Sequence, residues 1–175
     1  MPKTALRQSA FTLIELLVTA GLTALIMMAV TSLFITFLMT ATKNRLSQSV
    51  RESGSSAMSK MIELLRNANS IASVCTAEGA SMESLAIIGQ DGLTTTLQQL
   101  DDKIASSSAE NGDYFLTQSA GGEEDHLHDL IFTCYDTELG PKYVAISFTL
   151  TTGNDIENSP TSSSLDFRSG VSLRN

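Results

Sequence analysis

The chain has 175 residues, with 11 Lys and Arg against 19 Asp and Glu and a formal charge of −8. That length suits one domain and not comfortably two, and the acidic balance argues against a nucleic-acid-binding surface over the folded part as a whole. Hydrophobic residues make up 42% of the chain but crowd into residues 11–41, which leaves roughly 130 residues to fold in water around a modest core.

The first element is an apolar run. Lys3 and Arg7 precede it, Glu15 sits near its start, and no further charge appears until Lys43. The uncharged stretch from Leu16 to Thr42 exceeds the 20 or so residues that a bilayer-spanning helix needs. It is also longer than the apolar region of a cleaved secretory signal, so a retained membrane helix is the reading. The bases flanking the span, Lys3 and Arg7 before it and Lys43, Arg45 and Arg51 after it, do not settle its orientation. The short N-terminus and the exported character of the remainder favour a cytoplasmic N-terminus. A carboxylate inside such a run is costly and marks function more often than filler.

The residues "SAFTLIELLVTAGL" from Ser9 resemble the class III signal of type IV pilins and type II secretion pseudopilins. The resemblance implies a leader at residues 1–10 with Lys3 and Arg7 as its basic residues. It implies cleavage by a prepilin peptidase between Ala10 and Phe11, N-methylation of Phe11, and Glu15 as the fifth mature residue. The departure is Ala10, where Gly is commoner in the family. Cleavage would free a positive amine on Phe11, and residues i and i+4 share a helix face. Glu15 could then meet that amine on its own chain; the family implies the amine of a neighbouring subunit, so that the pair sets register in a filament. A buried pair need not add stability, but a lone buried acid is costly, so pairing specifies register. The plain alternative is an acid that snorkels to the membrane surface.

The same resemblance gives the domain plan: leader 1–10, transmembrane or filament-core half helix 11–41, and helix continuation with an exported β-sheet head over 42–175. It implies partners as well, namely the prepilin peptidase, other pilin or pseudopilin subunits, an inner-membrane assembly platform and the lipid bilayer. Loss of Lys3 and Arg7 with the leader would take the formal charge from −8 to −10, which gives no electrostatic reason for direct nucleic-acid binding.

Beyond Lys43 the pattern becomes amphipathic. Leu46, Val50, Ala57, Met61, Leu65 and Ala68, widened by Met58 and Ile62, form one apolar stripe opposite Arg45, Gln48, Arg51, Glu52, Lys60, Glu63 and Arg66. No proline lies between Pro2 and Pro141. One helix from about Phe11 to about Asn67, roughly 85 Å long at 1.5 Å per residue, is therefore expected. "SGSS" at 53–56 is the place for a bend or break.

After Asn67 come short β-type runs at 70–75, 84–89, 114–117, 130–136, 142–152 and 165–175. In "KYVAISFTLTT" one face would carry Tyr143, Ala145, Ser147 and Thr149, the other Val144, Ile146, Phe148 and Leu150. An antiparallel sheet packed on the helix makes the class α+β. "TLQQLDDKIASS" at 96–107 reads as a short helix, and 152–164 as a loop. The segments at 58–71 and 169–175 also resemble the helix-to-sheet passage and last strand of minor pilins.

Two cysteines, Cys75 and Cys134, lack any zinc-type spacing. They fit one disulfide in an exported protein, or two buried thiols in a reducing compartment; the exported character favours the disulfide. "EEDHLHD" at 123–129 is the one cluster that invites a metal, with His126 and His128 on one strand face, but a solvated turn is the simpler reading. Asp91, Asp101, Asp102 and Asp113 fall in loop-like stretches without EF-hand spacing. No nucleophile elbow, phosphate loop or HExxH motif occurs. A structural, non-enzymatic subunit without a cofactor is the expectation. A membrane-anchored binding domain that never polymerises is the alternative, and a metal-dependent enzyme built on the histidine turn is the third reading.

Overall fold

The computed structural model describes residues 11–108, 110, 112–117, 125–136, 142–153 and 162–173; residues 1–10, where a leader was expected, and Glu123 and Glu124 of the histidine cluster lie outside them. The chain divides into two units, Met1–Ala41 and Thr42–Asn175. The fold is α+β, one long helix and two antiparallel sheets. The helix α1 spans Leu13–Asn67 without interruption, as the absence of proline predicts.

In the second unit α1 changes character. Its buried residues are Leu46, Val50, Ser53, Gly54, Ala57, Met58, Met61 and Leu65, so the anticipated stripe is present and gains two members from "SGSS". That segment is helical rather than broken, because the sheet packs there. Gly54 faces the ring of Phe167, and a Cβ at this position would collide with it. Phe167 in turn stacks on Phe148 with 5.0 Å between ring centroids. Ser53 is buried with a partner: its hydroxyl donates to Asp125 Oδ2 at 2.9 Å. Thr152 donates to the other oxygen of the same carboxylate. A buried acid is tolerated when its oxygens are hydrogen-bonded in this way, and these three residues tie the helix to strands 72 and 99 residues further along.

The head has two sheets where one was expected. The first runs in the order β1 (Ser70–Ile71), β3 (Leu85–Ile88), β4 (Thr94–Leu100), β5 (Lys103–Ser108) and β6 (Gly112–Phe115); the second runs β2 (Ala80–Met82), β7 (Asp125–Tyr135), β8 (Tyr143–Gly153) and β9 (Ser162–Ser172). Every pairing between named strands is antiparallel. Both sheets contribute to one core with the helix stripe, including Leu85, Leu97, Ile104, Leu127, Phe132, Ile146, Phe148 and Leu150. In β8 the inward face is Val144, Ile146, Phe148 and Leu150, as the alternation predicts.

The short helix expected at 96–107 is absent. That segment is the hairpin of β4 and β5, paired from Thr95↔Ser108 to Leu100↔Lys103. Asp101 and Asp102 form its two-residue turn, at φ 49° and 55°. Positive φ at both central positions is what a tight hairpin of this type requires, and Asp tolerates it. Leu, Gln and Lys suggest a helix by propensity, but cross-strand pairing and the β-branched threonines prevail.

Cys75 and Cys134 form a disulfide with Cα atoms 5.0 Å apart and a sequence separation of 59. It pins the passage from β1 to β2 onto β7, beside an isolated parallel bridge between Thr76 and Tyr135. Loop-closure entropy for a loop of that length corresponds to roughly 4 kcal/mol.

Helix propensity alone makes Gly54→Ala stabilising by about 1 kcal/mol. The contact with Phe167 reverses the sign: we expect the full chain in detergent to lose about 1–3 kcal/mol, the usual cost of overpacking, in chemical denaturation followed by circular dichroism.

Candidate functional site, an exposed apolar helix

Every residue from Phe11 to Arg45 is exposed. Phe11, Leu13, Met28 and Leu33 each leave more than 70% of their surface uncovered. Apolar patches on soluble monomers rarely exceed a few hundred Å², and this one covers all sides of some eight helical turns. α1 is long and apolar enough to cross a membrane, and none of its most apolar stretch is buried. A helix that is apolar all round belongs in a core or in a bilayer; here no core covers it, so it is a candidate membrane anchor.

Its polar side chains are compatible with hydrocarbon. Thr19 donates its hydroxyl to Leu16 O at 3.1 Å, Thr23 to Ala20 O at 2.9 Å, Thr31 to Met27 O at 2.8 Å, Thr36 to Ser32 O at 3.0 Å and Thr40 to Thr36 O at 2.9 Å. Each hydroxyl is satisfied within the helix, so immersion leaves it no unpaired donor.

The start of the helix is capped by Thr12, a role that the motif reading did not include. α1 begins at Leu13, and the backbone N–H of Glu15 donates to Thr12 Oγ1 at 3.4 Å. Thr12 is thus the N-cap and Glu15 the third helical residue, the Thr-x-x-Glu arrangement of a capping box. An acid in the first turn also complements the helix dipole. The Thr-x-x-Glu spacing before an apolar run was the available signal. Phe11 lies before the first residue of α1. With residues 1–10 attached, Phe11 has no free amine. Lys3, Arg7 and Ala10 fall outside the described residues.

The remaining candidates serve the head. Cys75 and Cys134 are paired, as described. His126 and His128 alternate with buried Leu127 along β7 and face outward together, on a strand and not on the solvated turn that was expected. His126 Nδ1 lies 3.8 Å from Asp102 Oδ2. Asp125 of the same cluster is 2% exposed. Asp91 Oδ1 accepts from Leu93 N, Asp101 and Asp102 make the hairpin turn, and Asp113 lies in β6 and accepts from Ser107. Among the described residues no group of three or more His, Cys, Asp or Glu is placed to hold a metal ion.

Comparison with protein-family models, with curated proteins and with solved structures finds no match.

Two arginines in the apolar half test the anchor. Ala29→Arg with Leu33→Arg costs insertion about 3 kcal/mol per residue at the helix centre. The double variant is expected to shift from the alkaline-carbonate-resistant membrane fraction to the soluble or aggregated fraction, while the unchanged chain stays with the membrane.

Proposed function

We propose that this chain is a prepilin-like structural subunit, a minor pilin or pseudopilin, cut by a prepilin peptidase after Ala10 and built into a type IV pilus or a type II secretion-like filament. The observation that carries the reading is an apolar helical half exposed on every side that opens with the Phe11–Glu15 pattern. Such a surface needs a bilayer before assembly and other helices after it, and a filament provides both. The helix continues into a head whose disulfide suits an oxidising compartment. That arrangement supports placement in the cytoplasmic membrane with the head exported, and afterwards in a pilus or pseudopilus. In this reading Glu15 meets the Phe11 amine of a neighbour, and the head's task is structural or adhesive.

A second reading has its own observation. Glu15 lies in the first turn of α1, where an acid complements the helix dipole without any neighbour, which suits a single-pass anchored binding domain that does not polymerise.

The N-terminus separates the two. Expressed with a prepilin peptidase, the chain is expected to begin at N-methylated Phe11 in mass spectrometry; a mature chain that begins at Met1 overturns the filament reading. Glu15→Ala is expected to insert normally and to fall at least tenfold in filament incorporation. Normal incorporation of that variant would remove the register role of the carboxylate.

A further inference from the structure

The bases that follow the apolar half need a partner. Beyond Asn67 the sequence holds 16 acids and four bases, a formal −12, whereas residues 42–67 hold five bases and two acids, a formal +3. The positive charge is concentrated at the start of that segment. Lys43, Arg45 and Arg51 are all exposed, and Lys43 is the first charged side chain after Glu15. Bases on the exported flank of a span also run against the usual bias toward cytoplasmic Lys and Arg.

Helix geometry gives their depth. From Glu15 to Ala41 there are 26 residue steps, about 39 Å at 1.5 Å each, and Lys43 follows two residues on. A bilayer with its headgroup layers is about 40–45 Å thick. With the Glu15 end in one headgroup layer, Lys43 and Arg45 fall in the other, and their long side chains can keep their charges among the headgroups. Arg51 lies about 9 Å of helix beyond Arg45, near the limit of unscreened attraction at ordinary salt. On a helical wheel Lys43 lies in line with Val50 and Ala57, Arg45 lies on the far side, and Arg51 lies between them. The bases therefore form a collar around the helix and not a stripe on one face, which suits a ligand that surrounds the helix.

We infer that Lys43 and Arg45, with Arg51 behind them, bind the phosphates of anionic lipid headgroups in the leaflet facing the exported head. The inference rests on reading the apolar half as a membrane span, and it adds the lipid class. A head with a formal charge of −12 is repelled by an anionic surface, so any preference for anionic lipid in the leaflet facing it must come from these bases. The collar offsets the repulsion where the chain leaves the bilayer and gives the helix a fixed depth before assembly.

The test uses the full chain, with Lys3→Gln and Arg7→Gln throughout to remove the bases of the other flank, in vesicles that contain phosphatidylglycerol and phosphatidylcholine, with spin-labelled versions of each lipid as probes. Phosphatidylglycerol is expected to associate at least about fivefold more strongly than phosphatidylcholine, the factor that one base near a charged surface provides. The preference should vanish in Lys43→Gln/Arg45→Gln/Arg51→Gln and fade in 1 M salt, where the screening length is about 3 Å. Equal association of the two lipids with the chain that keeps Lys43, Arg45 and Arg51 overturns the inference, as does a preference that survives in the triple variant. A triple variant that keeps the lipid preference but loses cross-linked dimers assigns the bases to the acidic head of a second copy, and equally overturns it. A chain extracted by alkaline carbonate overturns the membrane reading itself, so the two failures are distinct. These positions are exposed, so the Cys75–Cys134 disulfide and the unfolding transition of the head should be unchanged in the triple variant.

Discussion

An apolar helical surface with no core of its own to enter is the constraint on which the rest of this molecule depends. From Phe11 onward the side chains are apolar on every side of α1 and exposed, and water is the wrong solvent for them. The same helix then enters a second environment. From Leu46 the apolar residues narrow to a stripe and the other positions turn polar. A single backbone element thus satisfies two solvents in succession. The change needs no break, since the composition of the helix surface changes while its hydrogen-bonding ladder does not.

The head is organised by how closely that helix can approach the sheets. Gly54 removes a side chain where the Phe167 ring lies, and the stacked pair Phe148 and Phe167 closes the contact. One turn of polar chemistry accompanies it: Ser53 and Thr152 both donate to Asp125. An apolar stripe can slide against a sheet at little cost, but a buried carboxylate that needs particular donors cannot. The polar cluster therefore fixes the packing register that the stripe alone leaves loose, and among the described residues no buried side-chain polar atom is without a partner. The disulfide does comparable work at the other end, where the short β2 would otherwise be a weak edge.

Much of this was legible because it rests on periodicity. The uninterrupted helix followed from the lack of proline, the buried stripe from its spacing, and the inward face of β8 from strict alternation. The pairing of Cys75 with Cys134 was one of two open readings. What escaped depends on contacts distant in sequence. Ser53 and Gly54 look like helix breakers until Asp125 and Phe167 are placed beside them. The β4–β5 hairpin hid behind helix-forming residues, although the Asp-Asp pair was a turn signal. In β7 the register shifts between His128 and Ile131, where Asp129 adopts φ 54°. That bulge lets Leu127 and Leu130 both face the core, so a period of two could not be read through it. At the candidate site, the family motif concerned the Glu15 carboxylate and did not register Thr12 as the cap of the helix.

The threonines of the apolar half carry a last consequence, a mechanical one. Each of the five hydroxyls described is turned back onto a carbonyl of its own helix, so a second helix laid alongside meets methyl groups where it could have met donors. Cohesion between such surfaces comes from shape and dispersion, which change gradually as one helix moves along the other. Interlocking hydrogen bonds would instead make a brittle joint that resists displacement and then fails at once. Along these five positions a neighbouring helix could therefore shift axially at little cost, and any fixed register has to come from elsewhere on the chain.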